Sequence, residues 1–94
     1  MDDDTTDPIL ASQRALGAAL RELRNRAGLT QKQLGARAGA DDTYLSQVET
    51  GHRDIRWSTV TRLLHALNAT PADLAAEVER QSQSKGSADG RQPN

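Results

Sequence analysis

Apolar residues recur at helical spacing along most of this chain. Leu16, Leu20, Leu23 and Ala27 fall three or four apart and predict the buried stripe of a first helix. That helix starts somewhere between residues 8 and 14, where Asp7-Pro8 offers a cap with proline at the first position. Gly28 ends it, and Leu29 supplies the apolar contact that accompanies such a stop. Leu34 and Ala38 lie one turn apart, and Leu45 and Val48 share a face, which predicts two short helices over 31–38 and 42–49. Thr30 with Gln33 has the spacing of a capping box, and Asp41 is a second N-cap. Gly39 marks the turn between the two helices, and Gly51 the left-handed residue that closes the second. Gly35 falls where the second helix crosses the first, so a side chain would push them apart. Glycine meets that need at a propensity cost of about 1 kcal/mol relative to alanine. Val60, Leu63, Leu64 and Leu67 form the inward face of a fourth helix, capped by Ser58 and ended at Asn68. Thr70-Pro71-Ala72-Asp73 opens a fifth over 71–80, with Leu74 and Val78 on one side.

The pattern divides the chain into three parts. Residues 1–7 form an acidic, disordered N-terminus, 8–80 a single helical domain, and 81–94 a flexible polar tail. Leucine and alanine dominate the apolar set, with few Ile or Val and no Phe, which favours an all-α fold with a thin core. The absence of cysteine excludes disulfides, thiolate nucleophiles and cysteine–zinc sites. No apolar run approaches the length of a membrane span and the acidic start is unlike a signal peptide, so a soluble, cytoplasmic protein is expected. The formal net charge is −1, but it is unevenly spread. Four of residues 2–7 are Asp, whereas residues 12–67 hold nine Lys or Arg against five acids, a net of +4. That excess suits a nucleic-acid partner only weakly, since many domains carry similar patches.

The central stretch supplies what charge alone does not. Arg24 in the first helix is followed by Gly28-Leu29-Thr30-Gln31, then Leu34 with a small residue at 35 and Gly39 in the turn. Leu45-Ser46 and Val48-Glu49-Thr50-Gly51 complete the set. Together these resemble the helix-turn-helix repressors of the phage-repressor/Cro type, over about residues 14–75. The resemblance implies a compact five-helix bundle of the lambda-repressor-like DNA-binding type, with the helix-turn-helix at helices 2 and 3. It implies double-stranded DNA as partner, a homodimer, and no cofactor or metal.

Reading duplex DNA directly requires a helix whose exposed side chains reach base edges in the major groove. The outward residues of helix 3 include Asp42, Thr43, Tyr44, Ser46 and Gln47. By position in the family, Asp42, Thr43 and Gln47 are the base readers. Gln suits adenine, the Thr methyl suits thymine, and Asp accepts from cytosine. Asp42 has an equal claim as helix-start electrostatics. Tyr44 completes the candidate base-contact set, with sugar stacking, phosphate contact and core cover all open to it. Phosphate contacts fall to Thr30 and Gln31 at the start of helix 2 and to His52, Arg53 and Arg56 in the following loop. The family also implies that Gln31 braces the recognition helix and that Arg24 and Glu49 form a buried structural ion pair. Lys32 and Arg37 read as ordinary surface charges. Trp57 reads as a lid packed on helix 4 over the thin core, its N–H left for a phosphate or carbonyl. Leu74, Val78, Ile9 and Leu10 are the apolar surface available for a dimer, or else they complete the monomer core.

The leading function is a sequence-specific DNA-binding transcriptional regulator, most simply a repressor on a two-fold operator. The alternative is a protein-interaction module, antitoxin-like or coactivator-like, on the same scaffold, and a regulatory protein partner is compatible with either. The polar outer side of helix 3 favours DNA. An enzyme is not supported: His52 and His65 stand on a loop and a helix with no catalytic spacing around them, and no glycine-rich phosphate loop occurs.

Overall fold

The computed structural model describes residues 7–87; the segments 1–6 and 88–94, and the readings made of them, lie outside the described residues. Five helices follow one another: α1 Pro8–Arg26, α2 Gln31–Ala38, α3 Asp42–Glu49, α4 Trp57–Ala66 and α5 Pro71–Ser87. α1 packs on both α3 and α5, α2 on α3 and α4, and α4 on α5. At their meeting place sits an aliphatic core of Ala19, Leu20, Leu23, Leu34, Ala38, Leu45, Val48, Val60, Leu63, Leu64, Leu67 and Leu74. Each buried leucine contributes about 1.5–3 kcal/mol, so the core is built from small equal increments with no dominant aromatic anchor.

The caps follow the sequence closely. The Asp7 carboxylate accepts from the amides of Ile9 and Leu10, and Pro8 occupies the first turn of α1. α1 ends at left-handed Gly28, with the Leu29 amide returning to the Arg24 carbonyl. Thr30 and Gln33 exchange both bonds of a capping box, at 3.0 and 2.9 Å. Gly39 takes φ +71°, and the Ala40 amide donates to the Gly35 carbonyl at 2.8 Å. Thr70 and Asp73 form the same reciprocal cap at the start of α5.

Several expectations change. Asp41 stands at the N-cap of α3 but its side chain makes no capping bond. α4 begins at Trp57, one residue ahead of Ser58, so Ser58 lies inside the first turn and caps nothing. Ala27 is exposed, because the chain turns away at the helix end. The buried face of α1 instead includes Gly17, Ala19 and Arg24, since it must serve α3 and α5 at once. α5 continues past residue 80 to Ser87. Gly35 is required, but for another reason: a Cβ there would stand 2.3 Å from the Ala40 carbonyl oxygen, whereas a Leu45 methyl of α3 lies 3.5 Å away. The turn, not the crossing helix, forbids the side chain. Gly17 has no counterpart in the sequence reading. A Cβ there would meet the Val48 and Glu49 carbonyl oxygens at 2.2 and 2.9 Å, so α1 lies directly against the last turn of α3.

Candidate nucleic-acid interface

α3 divides cleanly into two sides. Leu45 and Val48 are 1% and 2% exposed and hold it to the core. Thr43 and Gln47 are exposed, and Asp42, Tyr44 and Ser46 are half-buried. Tyr44 packs its ring against the core cluster, which gives it a share in the core-cover role. Its outer face lies beneath the Arg53 guanidinium, 5.2 Å from the ring centroid. Arg53 Nε also donates to Gln47 Oε1 at 3.1 Å.

The C-terminal end of α3 is fixed by a buried charge cluster. Arg24 Nε donates to Glu49 Oε2 at 2.7 Å and Nη2 to Oε1 at 2.9 Å, a bidentate pair whose side chains are 11% and 2% exposed. The third Arg24 nitrogen donates to the Leu29 carbonyl at 2.8 Å. Gln31 Nε2 completes the Glu49 carboxylate at 3.0 Å. The hydrogen-bonded carboxylate raises the Arg24 pKa, outweighing the downward push of burial. One carboxylate thus ties together α1, the start of α2 and the end of α3. The Gln31 amide nitrogen gives one of its two hydrogens to this bracing.

The other phosphate contacts expected from the sequence are His52, Arg53 and Arg56, in the loop after α3, and Thr30, at the N-cap of α2. The Thr50 hydroxyl bonds the Ser46 and Gln47 carbonyls and meets His52 Nδ1 at 2.8 Å. Gly51, at φ +81°, packs closely on Arg14; a Cβ would stand 2.7 Å from its Cγ. His52, Arg53 and Arg56 are all exposed. Thr30 is exposed too, with its hydroxyl oxygen accepting the Gln33 amide. Trp57 does not close the core: it is 60% exposed at the first residue of α4. There it lines an open concavity of about 640 Å³ with Pro71, Leu74, Ala75 and Val78.

A second buried carboxylate was invisible in the sequence. Glu77, in the middle of α5, is 2% exposed. Arg26 donates to its Oε1 at 2.7 Å, Arg80 donates to the same oxygen, and Gln81 donates to Oε2 at 2.9 Å. Burial pushes its pKa up, but these hydrogen bonds and the Arg26 charge prevail and hold it below the usual carboxylate value. Nothing in a stretch reading AAEVERQ distinguishes a buried Glu from its exposed neighbour Glu79. The grip of Arg53 on Gln47, across the helix end, was equally unreadable.

Among the described residues no cluster of His, Asp or Glu could hold a metal ion, and no helix is long and apolar enough to cross a membrane. The family model for the helix-turn-helix domain matches residues 15–77. Over 72 residues the chain is 39% identical to a propionyl-CoA carboxylase regulator of Cereibacter sphaeroides. That is 76% of this chain but 16% of the relative, so the chain spans about a sixth of that protein's length. Among solved structures, it is similar to the clp gene regulator ClgR from C. glutamicum (33% identity, TM-score 0.72, 74% of this chain and 90% of that one). It is likewise similar to the restriction-modification controller protein C.AhdI from Aeromonas hydrophila (36% identity, TM-score 0.66, 68% and 97%).

Proposed function

Because this chain belongs to the helix-turn-helix domain family, whose members are DNA-binding transcriptional regulators and not enzymes, we propose that it binds a two-fold operator as a homodimer and acts as a repressor by covering a promoter. α3 enters the major groove, with Thr43 and Gln47 on base edges, Asp42 at the groove wall and Tyr44 beneath the contact. Thr30, His52, Arg53 and Arg56 meet phosphates on either side, while Gln31 sets the angle of α3 and adds its helix N-terminus to the backbone contact. Being able to act on cytoplasmic DNA is part of the same reading.

The observation that supports this most is the two-sided character of α3. Its polar residues stand outward while its other side is locked by Leu45, Val48 and the Arg24–Glu49–Gln31 cluster. A rigid helix with a polar outer face presents side chains to a groove at little entropic cost. The test is selection of bound sequences from random duplexes, followed by a salt titration of the winner. A two-fold consensus with half-sites about 34 Å apart and affinity falling steeply with salt is the expected result. Absence of any enriched sequence, or salt-independent binding, would overturn it.

A further inference from the structure

Gln47, Arg53 and Tyr44 form one assembly, and its chemistry differs from that of a glutamine standing alone. A free Gln reads adenine by accepting from N6 and donating to N7. Here the Gln47 oxygen already accepts from Arg53 Nε at 3.1 Å. A guanidinium has no acceptor, so this contact fixes which end of the amide faces Arg53 and which is left. The amide NH₂ has no hydrogen-bond partner among the described residues, so it is the group left to meet a base. Arg53 itself is held over the Tyr44 ring, 5.2 Å from its centroid, and Tyr44 is in turn packed on the core. The terminal nitrogens of Arg53 have no other hydrogen-bond partner among the described residues. The exposed side of the assembly therefore offers amide and guanidinium N–H groups around a full positive charge.

Such a surface is mismatched to adenine, whose N6 amino group is a donor. It matches guanine, which presents acceptors at both N7 and O6. We propose that Gln47 and Arg53 act as a single donor unit that selects guanine in each half-site, with Tyr44 as the platform that keeps Arg53 in place. This rests on α3 being the DNA-reading helix and names the base that one part of it reads. Arg53 is then a specificity-determining residue as well as a cation near the backbone.

The test compares the full chain with Gln47→Ala, Arg53→Ala and Arg53→Lys, each checked for an unchanged melting temperature. Every protein selects from random duplexes, and each is then titrated with the wild-type winner and its single-base variants. Guanine should be enriched at one position per half-site, and a G-to-A change there should weaken wild-type binding by roughly 10- to 100-fold. That discrimination should shrink to below about threefold, at the same base position, in all three variants. Arg53→Lys belongs with them, because an ammonium keeps the charge but loses the fork that joins Gln47 to the base. Two results would overturn the inference while leaving DNA reading intact. One is adenine at the position governed by Gln47. The other is an Arg53→Ala variant whose affinity drops equally for all sequences. If the wild-type chain enriches no sequence at all, DNA reading by α3 fails and the inference falls with it.

Discussion

Two buried carboxylates carry much of the positional information in this small protein, and they differ in how their partners are placed. Both partners of the Arg24–Glu49 pair are buried, so neither charge can rehydrate if the other is lost. Truncating Arg24 to Met should cost about 3–5 kcal/mol, read as a shift of the urea midpoint. Removing both charges in Arg24→Met/Glu49→Met should cost less than the single change, because no charge is then stranded. Glu77 is buried just as deeply, but Arg26 and Arg80 are half-exposed and can return to water. Glu77→Gln should therefore cost only about 1–3 kcal/mol at neutral pH. Its signature is the pH dependence. The folded-state pKa of Glu77 is depressed, so the unfolded chain binds that proton more readily. The stabilisation is complete above the ordinary carboxylate pKa and is lost as pH falls through the lower folded value. Thermal melts from neutral to strongly acidic pH should show a shallower acid decline in Glu77→Gln than in the natural chain. Equal slopes would mean that Glu77 is not held low.

At the scale of helices, three glycines separate two kinds of constraint. Gly28 is left-handed, yet nothing lies within 4 Å of an added Cβ, so Gly28→Ala should cost only the backbone strain of about 1–2 kcal/mol. Gly17 and Gly35 are ordinary helical residues, but each faces a backbone carbonyl oxygen at 2.2–2.3 Å from an added Cβ. Alanine improves helix propensity at both sites and should still cost more than the roughly 3 kcal/mol typical of overpacking, because a carbonyl inside a turn or helix cannot step aside. Chemical denaturation of the three variants should give that order. The same contrast explains what could be read in advance. Helices α2 and α3 were legible to the residue, because the capping box of α2 and the turn glycines at 39 and 51 are local signals written within four positions; Asp41 marked the start of α3 by position although its side chain caps nothing. Arg24 with Glu49 was legible only through the family resemblance, being 25 residues apart. Gly17, Glu77 and the Arg53–Gln47 contact were not legible, since each depends on how distant parts of the chain meet. The misplaced cap at Ser58 has the same root: Trp57 has little local reason to start a helix, and the packing of Val60, Leu63 and Leu64 sets the start instead.

For the molecule as a whole, the question is where a second copy would sit. Leu74 is 5% exposed and belongs to the monomer core, while Ile9, 69% exposed, and Leu10, half-buried, stand together at the far N-terminal end of α1, away from α5's outer face. That leaves Val78, half-buried, and Trp57, which was assigned by sequence to the monomer and instead stands open beside it. Trp57, Pro71, Ala75 and Val78 form one apolar concavity spanning the start of α4 and the face of α5. An exposed tryptophan in a chain with no phenylalanine and one tyrosine is the largest apolar side chain available, and such residues anchor interfaces when buried. Two copies of this face brought together by a two-fold axis would bury both tryptophans and leave each α3 free for its own half-site. Because Trp57 is the only tryptophan, its emission reports the event directly. Raising the protein concentration should shift the emission to the blue and protect it from a soluble quencher, in step with a doubling of mass by sedimentation. Val78→Glu, which places a charge in the same concavity at a half-buried position that also packs on the core, should hold the protein monomeric with red-shifted emission at all concentrations, its far-ultraviolet dichroism confirming that it stays folded. On operator DNA that variant should lose cooperative occupation of the two half-sites while keeping the base preference of one. Emission and mass unchanged by Val78→Glu would move the two-fold axis away from α5.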